Sequence, residues 1–201
     1  MAAVLRAAVT SGTLYAVGNI IDQTLVQKRF RPLQPSQTSA TTTPAAAMAA
    51  ALEQLDTRQT AKFAVIGACL HGPYFLAGFR FLDWALGTGR TFPTIVAKAI
   101  LGQVAVSPPF IAMFLGLSAV LDGKDPVARI KEKFLAINIS SCLIWPFLSI
   151  VNFRWVPVNR RILFINIAGI FWNTYLSFET NARKAHVQLE RQLQLQSQGK
   201  R

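Results

Sequence analysis

Long runs of uncharged, largely apolar residues follow one another along this chain. They cover residues 7–21, 63–79, 99–121, 134–153 and 162–178, and each approaches the roughly 20 residues with which an α-helix crosses hydrocarbon. One small soluble core could not bury five such runs. The pattern therefore predicts an all-α fold, a multi-spanning transmembrane bundle of four to five hydrophobic helices.

Changes in composition divide the chain into four parts of one domain. A first helix is predicted over residues 1–31. A mobile linker with an alanine-rich lead-in is predicted over 32–55, where proline, serine and threonine replace the apolar pattern. The helical membrane bundle core follows over 56–180. Residues 181–201 are basic and rich in glutamine, which indicates a solvated C-terminal tail.

Glycine and proline locate the predicted ends and bends of the helices. Gly87 is expected to close the second helix, and Pro126 to open the fourth. Because proline lacks a backbone N–H, it also disturbs a helix that contains it. Kinks are predicted at two sites, Pro108/Pro109 in the third helix and Trp145-Pro146 in the fourth.

The basic residues lie between the apolar runs. Of the 201 residues 52% are hydrophobic, and 21 Lys and Arg against 9 Asp and Glu give a net charge of +12. No zinc-finger, basic-zipper or RNP-like pattern accompanies this charge, so no direct nucleic-acid contact is expected. The expected partners are the lipid bilayer and, through the basic loops, anionic lipid headgroups. The positive-inside rule places the linker and the tail on one side of the membrane, the side from which the protein inserts.

Small and polar residues recur within each run at intervals of three, four or seven, which places them on one face of each helix. They are Ser11, Tyr15, Gly18 and Asp22, then Gly67, His71, Tyr74 and Gly78, then Gly102, Pro109 and Gly116, then Asn138, Ser141, Trp145, Ser149 and Asn152, and finally Asn159, Asn166, Gly169 and Asn173. We expect these stripes to face inward. Two interpretations stay open, because such residues allow helices to pack closely and also line aqueous pathways.

A few titratable residues were considered for chemistry. Asp22 and Arg80 either lie at helix ends or belong to a pathway in which Asp22 pairs with a basic residue. His71 has no second ligand at metal-binding spacing, and Cys69 and Cys142 lie within apolar runs. No catalytic or dinucleotide-binding motif is present. The sequence therefore predicts no enzyme activity, no cofactor and no metal.

The segments WPFLSIVNFRWVPVNRR and FWNTYLS resemble the C-terminal signature of the Mpv-seventeen and twenty-two-kilodalton peroxisomal membrane protein family. The matching residues are Trp145, Pro146, Asn152, Phe153, Val156, Pro157, Arg161, Trp172, Asn173, Tyr175, Leu176 and Ser177. Gly18 and Gln23 match an earlier element of that family, and Gly72-Pro73 matches its central Gly-Pro pair. The chain departs from the pattern at Asn19 and Gly102, where the family has acidic residues.

The resemblance implies a membrane protein of the mitochondrial inner membrane or, alternatively, the peroxisomal membrane. It also implies channel activity, organelle homeostasis and mitochondrial DNA maintenance. We therefore expect a channel or pore for small solutes or ions, and alternatively a non-conducting scaffold or assembly factor. Whether the protein forms a homo-oligomer is left open by the sequence. An enzyme that acts on a lipid or another hydrophobic substrate is a third class of function. The candidate pathway or packing residues are Tyr15, Gly18, Asp22, Gln23, Gly72, Pro73, Gln103, Trp145, Pro146, Asn152, Arg161, Asn166, Trp172 and Asn173.

Overall fold

The computed structural model describes residues 1–27 and 55–174. Within these ranges the chain is helical apart from short connections, and it contains no strand. The predicted linker, except its last residue, and the predicted tail over 181–201 lie outside the described residues.

Seven helices follow in chain order. They are α1 (Ala2–Ile21), α2 (Thr57–Ile66), α3 (Gly72–Leu86), α4 (Phe92–Leu101), α5 (Ser107–Leu121), α6 (Pro126–Trp155) and α7 over 161–174. A π-helical turn continues α1, and two more join α2 to α3 and α4 to α5; they are Asp22–Gln27, Gly67–His71 and Gly102–Val106. A 3₁₀ turn, Val158–Arg160, precedes α7.

Four continuous helical segments in the described residues are long and apolar enough to cross a membrane. They are Ala2–Thr24, Thr57–Leu86, Phe92–Leu121 and Pro126–Trp155, called here the first to fourth spans. The prediction of an all-α multi-spanning bundle is therefore confirmed. Because the spans alternate in direction, the start of the first span lies at the same end of the bundle as the short Leu86 to Phe92 connection and the start of α7.

The ends of the spans follow from local chemistry. The Asp56 carboxylate accepts a hydrogen bond from the Gln59 backbone N–H at 2.9 Å and caps the second span. Asp125 caps the fourth span in the same way, and Pro126 follows it at the first helical position. Gly87 ends the second span with φ 75°, a left-handed conformation that glycine adopts without strain. The predicted roles of Gly87 and Pro126 are confirmed.

Two prolines sit at the break in the third span. Pro108 and Pro109 lie in the first turn of α5, where a missing backbone N–H costs least. The preceding π turn closes when the Ser107 N–H donates to the Gly102 carbonyl, one residue farther back than in an α-helix. Pro146, in contrast, lies inside the uninterrupted helix α6, where it deprives the carbonyl four residues earlier of its usual donor.

The first two spans touch backbone to backbone. A Cβ added at Gly72 would lie 2.4 Å from the Ala7 carbonyl oxygen, and one added at Gly67 would lie 2.5 Å from the Ser11 carbonyl oxygen. Any side chain larger than hydrogen would push the helices apart at either position. Small residues on the second span therefore serve close helix packing, as the packing interpretation predicted for this face.

The outer surface of the bundle is apolar. Leu143, Phe147 and Phe171 are each more than 70% exposed, as expected of side chains that face lipid instead of water. Trp84 and Trp155 are also exposed, and both lie at the end of the bundle where α7 begins. Tryptophan favours the boundary between hydrocarbon and headgroups, so these two rings mark that boundary.

Replacing Gly72 by alanine tests the close contact. The new Cβ would force the first and second spans apart, and overpacking of this kind costs about 1–3 kcal/mol. Gly89→Ala is the matched control, because a Cβ at Gly89 meets nothing within 4 Å and its φ is unexceptional. Thermal unfolding of the purified protein in detergent should show a clear loss for Gly72→Ala alone. Equal stability of the two variants would contradict the contact.

Candidate functional site

A cavity of about 140 Å³ lies along the axis of the bundle. Every described helix except α2 contributes to its wall. Many members of the predicted polar stripes line it: Tyr15, His71, Gly102, Ser141, Trp145, Ser149, Gly169 and Asn173. Gln103 and Trp172, which the family resemblance had singled out, line it as well. The polar faces of separate helices thus converge on one space.

Aromatic rings form one wall of this central cavity. The His71 ring is packed by Tyr15, Phe75 and Phe110, with centroids 4.9, 4.6 and 5.4 Å away. The rings of Phe75 and Phe110 are themselves 4.8 Å apart. These rings therefore form an apolar part of the cavity wall.

Another part of the cavity wall carries polar side chains. The Gln103 amide donates to the Ser141 hydroxyl at 2.9 Å and approaches the Cys142 sulfur at 3.4 Å. Ser141 in turn donates to the Asn138 carbonyl at 2.8 Å. These bonds join the π turn of the third span to the middle of the fourth. They leave amide and hydroxyl groups beside the cavity, where they can exchange hydrogen bonds with water.

A second polar network joins three helices beside the cavity. Ser11 Oγ lies 3.3 Å from His71 Nδ1, and the Asn166 amide donates to Ser11 Oγ at 2.9 Å. Ser11 is fully buried and is not part of the cavity wall. Its hydroxyl is therefore placed to hold α1, the second span and α7 together, not to attack a substrate. Within residues 1–27 and 55–174, no three His, Cys, Asp or Glu side chains come together as metal ligands would.

Three charged side chains meet at the end of the cavity nearest to α7's first residue. Lys98 Nζ lies 2.5 Å from one Asp83 carboxylate oxygen, and Arg161 Nη1 lies 3.0 Å from the other. Both cations also approach the Phe153 ring, at 5.4 and 4.8 Å from its centroid. Lys98 is 1% exposed and Arg161 3% exposed. We call these three residues, with one carboxylate and two cations, the charge cluster.

Sequence analysis found only one member of the charge cluster, Arg161. The uncharged run that predicts the third span starts at residue 99, but the span begins at Phe92 and buries Lys98. A signal was present, because Lys98 has apolar residues on both sides and no acidic residue within a helical turn. Its partner is 15 residues away in the preceding span, which periodicity within one run cannot reveal.

Other candidate residues pack instead of lining the cavity. A Cβ at Gly18 would lie 3.1 Å from Ile170 on α7, and Pro73 lies in the first turn of α3. Gln23 bridges the first two spans, since its side chain accepts from the Asp56 N–H at 2.7 Å and donates to Asn19 at 2.7 Å.

The remaining candidates lie at special positions in helices. Asp22 begins the π turn that continues α1, which agrees with its interpretation as a helix-end residue. Pro146 is half-buried within α6. Asn152 is 0% exposed, and neither polar atom of its amide has a hydrogen-bond partner among the described residues.

Three residues of the predicted inward-facing stripes are exposed, although one of them, Asn173, still borders the central cavity. Pro109 is exposed, because the π turn before it holds one residue more than an α-helical register allows and so turns α5 about its axis. Asn159 is exposed because it lies in the 3₁₀ turn before α7 and not in the helix. Arg80 is exposed as well, six residues before the second span ends at Leu86.

Removing the carboxylate of the charge cluster should cost more than removing a cation. Asp83→Asn leaves two buried cations without a counter-charge, and breaking a buried pair in this way costs about 3–5 kcal/mol. Lys98→Met leaves the neutral pair of Asp83 and Arg161 and should cost less than about 2 kcal/mol. Thermal unfolding in detergent measures both. Adding Lys98→Met to Asp83→Asn should restore part of the lost stability. If Lys98→Met alone destabilised the protein more than Asp83→Asn alone, that result would contradict this arrangement.

The chain was then compared with known proteins. The model of the Mpv17 / PMP22 family matches residues 119–177. Protein sym-1 of Neurospora crassa is 32% identical over 175 residues, which cover 87% of this chain and 90% of that protein. The mitochondrial inner membrane protein Mpv17 of Danio rerio is 30% identical, with 86% and 87% covered. PXMP2/4 family protein 4 of Dictyostelium discoideum is 27% identical, with 85% and 82% covered.

No solved structure matches the chain. The identity to sym-1 extends over nearly the whole length of both proteins, so it includes the spans that the family model does not reach. Relatives from Danio rerio, Xenopus laevis and Rattus norvegicus carry the name of a mitochondrial inner membrane protein, in agreement with the predicted location. The chain belongs to the Mpv17 / PMP22 family of membrane proteins.

Proposed function

We propose that this protein is a channel for small solutes or ions and that the central cavity is its pathway. The observation that carries the proposal is the convergence of Tyr15, Gln103, Ser141, Ser149 and Asn173 on one cavity. Packing alone requires small residues at helix contacts, such as the glycines between the first two spans. It does not require polar side chains around a space that they leave unfilled.

The size of the central cavity supports this proposal. A water molecule needs about 10–15 Å³ of cavity volume measured in this way, and the cavity has about 140 Å³. A file of several waters therefore fits beside the polar wall. The aromatic wall around His71 and Phe110 supports a closed conformation, because apolar constrictions stop conduction by excluding water.

The charge cluster supports a preference among solutes. Lys98 lines the cavity, whereas Asp83 does not, so the side of the cluster that faces the pathway is cationic. A fixed positive charge in a low-dielectric wall attracts anions and repels cations over several ångströms. We therefore propose that Lys98 raises the permeability to anions relative to cations.

A non-conducting scaffold or assembly factor is the second candidate. It is supported by the backbone contact at Gly67 and Gly72, which seals the first two spans against each other. A non-enzymatic role is common to both candidates, and it is supported by Ser11, whose hydroxyl is buried away from the cavity. Organelle homeostasis and mitochondrial DNA maintenance, which the family resemblance implies, would follow from solute balance across the inner membrane.

Conductance measurements on the purified protein test the channel. Planar bilayers should show conductance, and proteoliposomes should swell in permeant solutes. In a chain with Cys69→Ala and Cys142→Ala, a hydrophilic thiol reagent should block most of the current through Ser149→Cys, because Ser149 lines the cavity.

Leu143→Cys on the same helix is the matched control for this block. Leu143 is 72% exposed on the lipid-facing surface, so its modification should leave the current unchanged. Equal block of both variants would show that the reagent acts elsewhere. Absence of both conductance and swelling at every pH and voltage would overturn the channel and favour the scaffold.

The role of Lys98 in selectivity is measured by reversal potentials in a KCl gradient. Lys98→Met should lower the ratio of chloride to potassium permeability by about tenfold, because a unit charge about 10 Å from an ion contributes about 1.7 kcal/mol at an effective dielectric constant of about 20. Arg129→Met, which removes a partly buried charge beside Asp122 at the other end of the bundle, is the control. An unchanged ratio in Lys98→Met would remove Lys98 from the pathway.

A further inference from the structure

A second cavity, of about 430 Å³, opens on the side of the bundle. It lies between the beginning of α1, the last turns of α3 and the beginning of α7. Its wall is apolar along Leu76, Ile162 and Leu163, and it carries two arginines, Arg6 and Arg80. We call it the lateral cavity.

The two arginines of the lateral cavity lack counter-charges. Asp83 pairs with Lys98 and Arg161, and Asp122, at the opposite end of the bundle, pairs with Lys62 and Arg129. Neither Arg6 nor Arg80 lies within 4.0 Å of a carboxylate among the described residues. Two guanidinium groups therefore share an open cavity with no anion to satisfy them.

The depth of Arg80 in the bilayer makes the lack of a counter-charge unusual. Arg80 lies four residues before Trp84 on the same helix, which places it about 6 Å farther into the bilayer than the exposed indole. Because the indole marks the boundary between hydrocarbon and headgroups, this level lies among the upper parts of the acyl chains, below the lipid phosphates and away from free water. An arginine there needs an anion beside it or must extend toward the surface.

The charge around the lateral cavity also favours an anion. Asp83 lines it too, and its carboxylate would repel a phosphate. However, both Asp83 oxygens are already engaged by Lys98 and Arg161. Counting Arg6 and Arg80, four cations stand against one carboxylate in this region.

We infer that the lateral cavity is a binding site for one anionic phospholipid. Its phosphate lies between Arg6 and Arg80, which donate charge-assisted hydrogen bonds to the phosphate oxygens. An acyl chain packs along Leu76 and Leu163. Arginine suits this role because its planar fork matches two phosphate oxygens and stays charged at every accessible pH. The inference does not depend on whether the central cavity conducts.

Native mass spectrometry of the full chain, released from detergent with added lipid, tests the site. Phosphatidylglycerol and phosphatidylcholine with identical acyl chains are the probes. The first molecule of phosphatidylglycerol that binds should bind more tightly than the first molecule of phosphatidylcholine. The double variant Arg6→Gln, Arg80→Gln should weaken that first binding by about thirtyfold, since each arginine near the headgroups contributes a factor of about five.

Arg90→Gln with Arg154→Gln is the matched control. Both arginines are exposed at the same end of the bundle, and neither lines the lateral cavity. This control should keep tight binding of the first phosphatidylglycerol. An equal loss in the control would show that general surface charge attracts the lipid, and it would overturn a specific site.

Two further arms complete the test. If millimolar inorganic phosphate displaces the first lipid, the cavity is a site for a free anion and the lipid proposal is overturned. Ala3→Phe fills the cavity without changing charge and should also abolish tight binding, so it provides the test if the arginine variant does not fold. Tight binding that survives in a folded Ala3→Phe protein would equally overturn the site.

Discussion

A single carboxylate joins three helices at one end of this bundle. Asp83 on the second span pairs with Lys98 on the third span and with Arg161 on α7. Separately, each of these ions would have to leave water without compensation, a cost of several kcal/mol. Together they offset much of this cost, and Phe153 covers both cations. The buried position of Lys98, and with it the cationic end of the central cavity, depends on this arrangement.

The small and polar residues of the second span divide between two tasks. On the side facing α1, Gly67 and Gly72 allow backbone contact that no side chain could share. On the side facing the third and fourth spans, His71 and Phe75 border an unfilled space. The second span therefore both packs closely against α1 and lines the central cavity. This division explains why composition alone could not separate packing from a pathway, because the same residue types occur on both sides.

Much of the fold could be predicted from the sequence, because each apolar run must by itself be long and apolar enough to cross the hydrocarbon core. The spans, the helix start at Pro126 and the helix end at Gly87 depend on residues within a few positions of one another. The charge cluster did not follow, because Lys98 and Asp83 meet only through the packing of two spans. Likewise, the sequence named Asn166 as inward-facing but could not identify Ser11 as its partner, 155 residues away.

The π turn in the third span has a consequence for any helical wheel drawn through it. An α-helix advances by about 100° per residue, so one extra residue in the turn Gly102–Val106 offsets the phase of everything after it by about that angle. A wheel phased on α4 therefore assigns Pro109 to the wrong side of the helix. Substitution scans of this span therefore need two helical wheels, one for α4 and one for α5, and the phase of each wheel must be set separately.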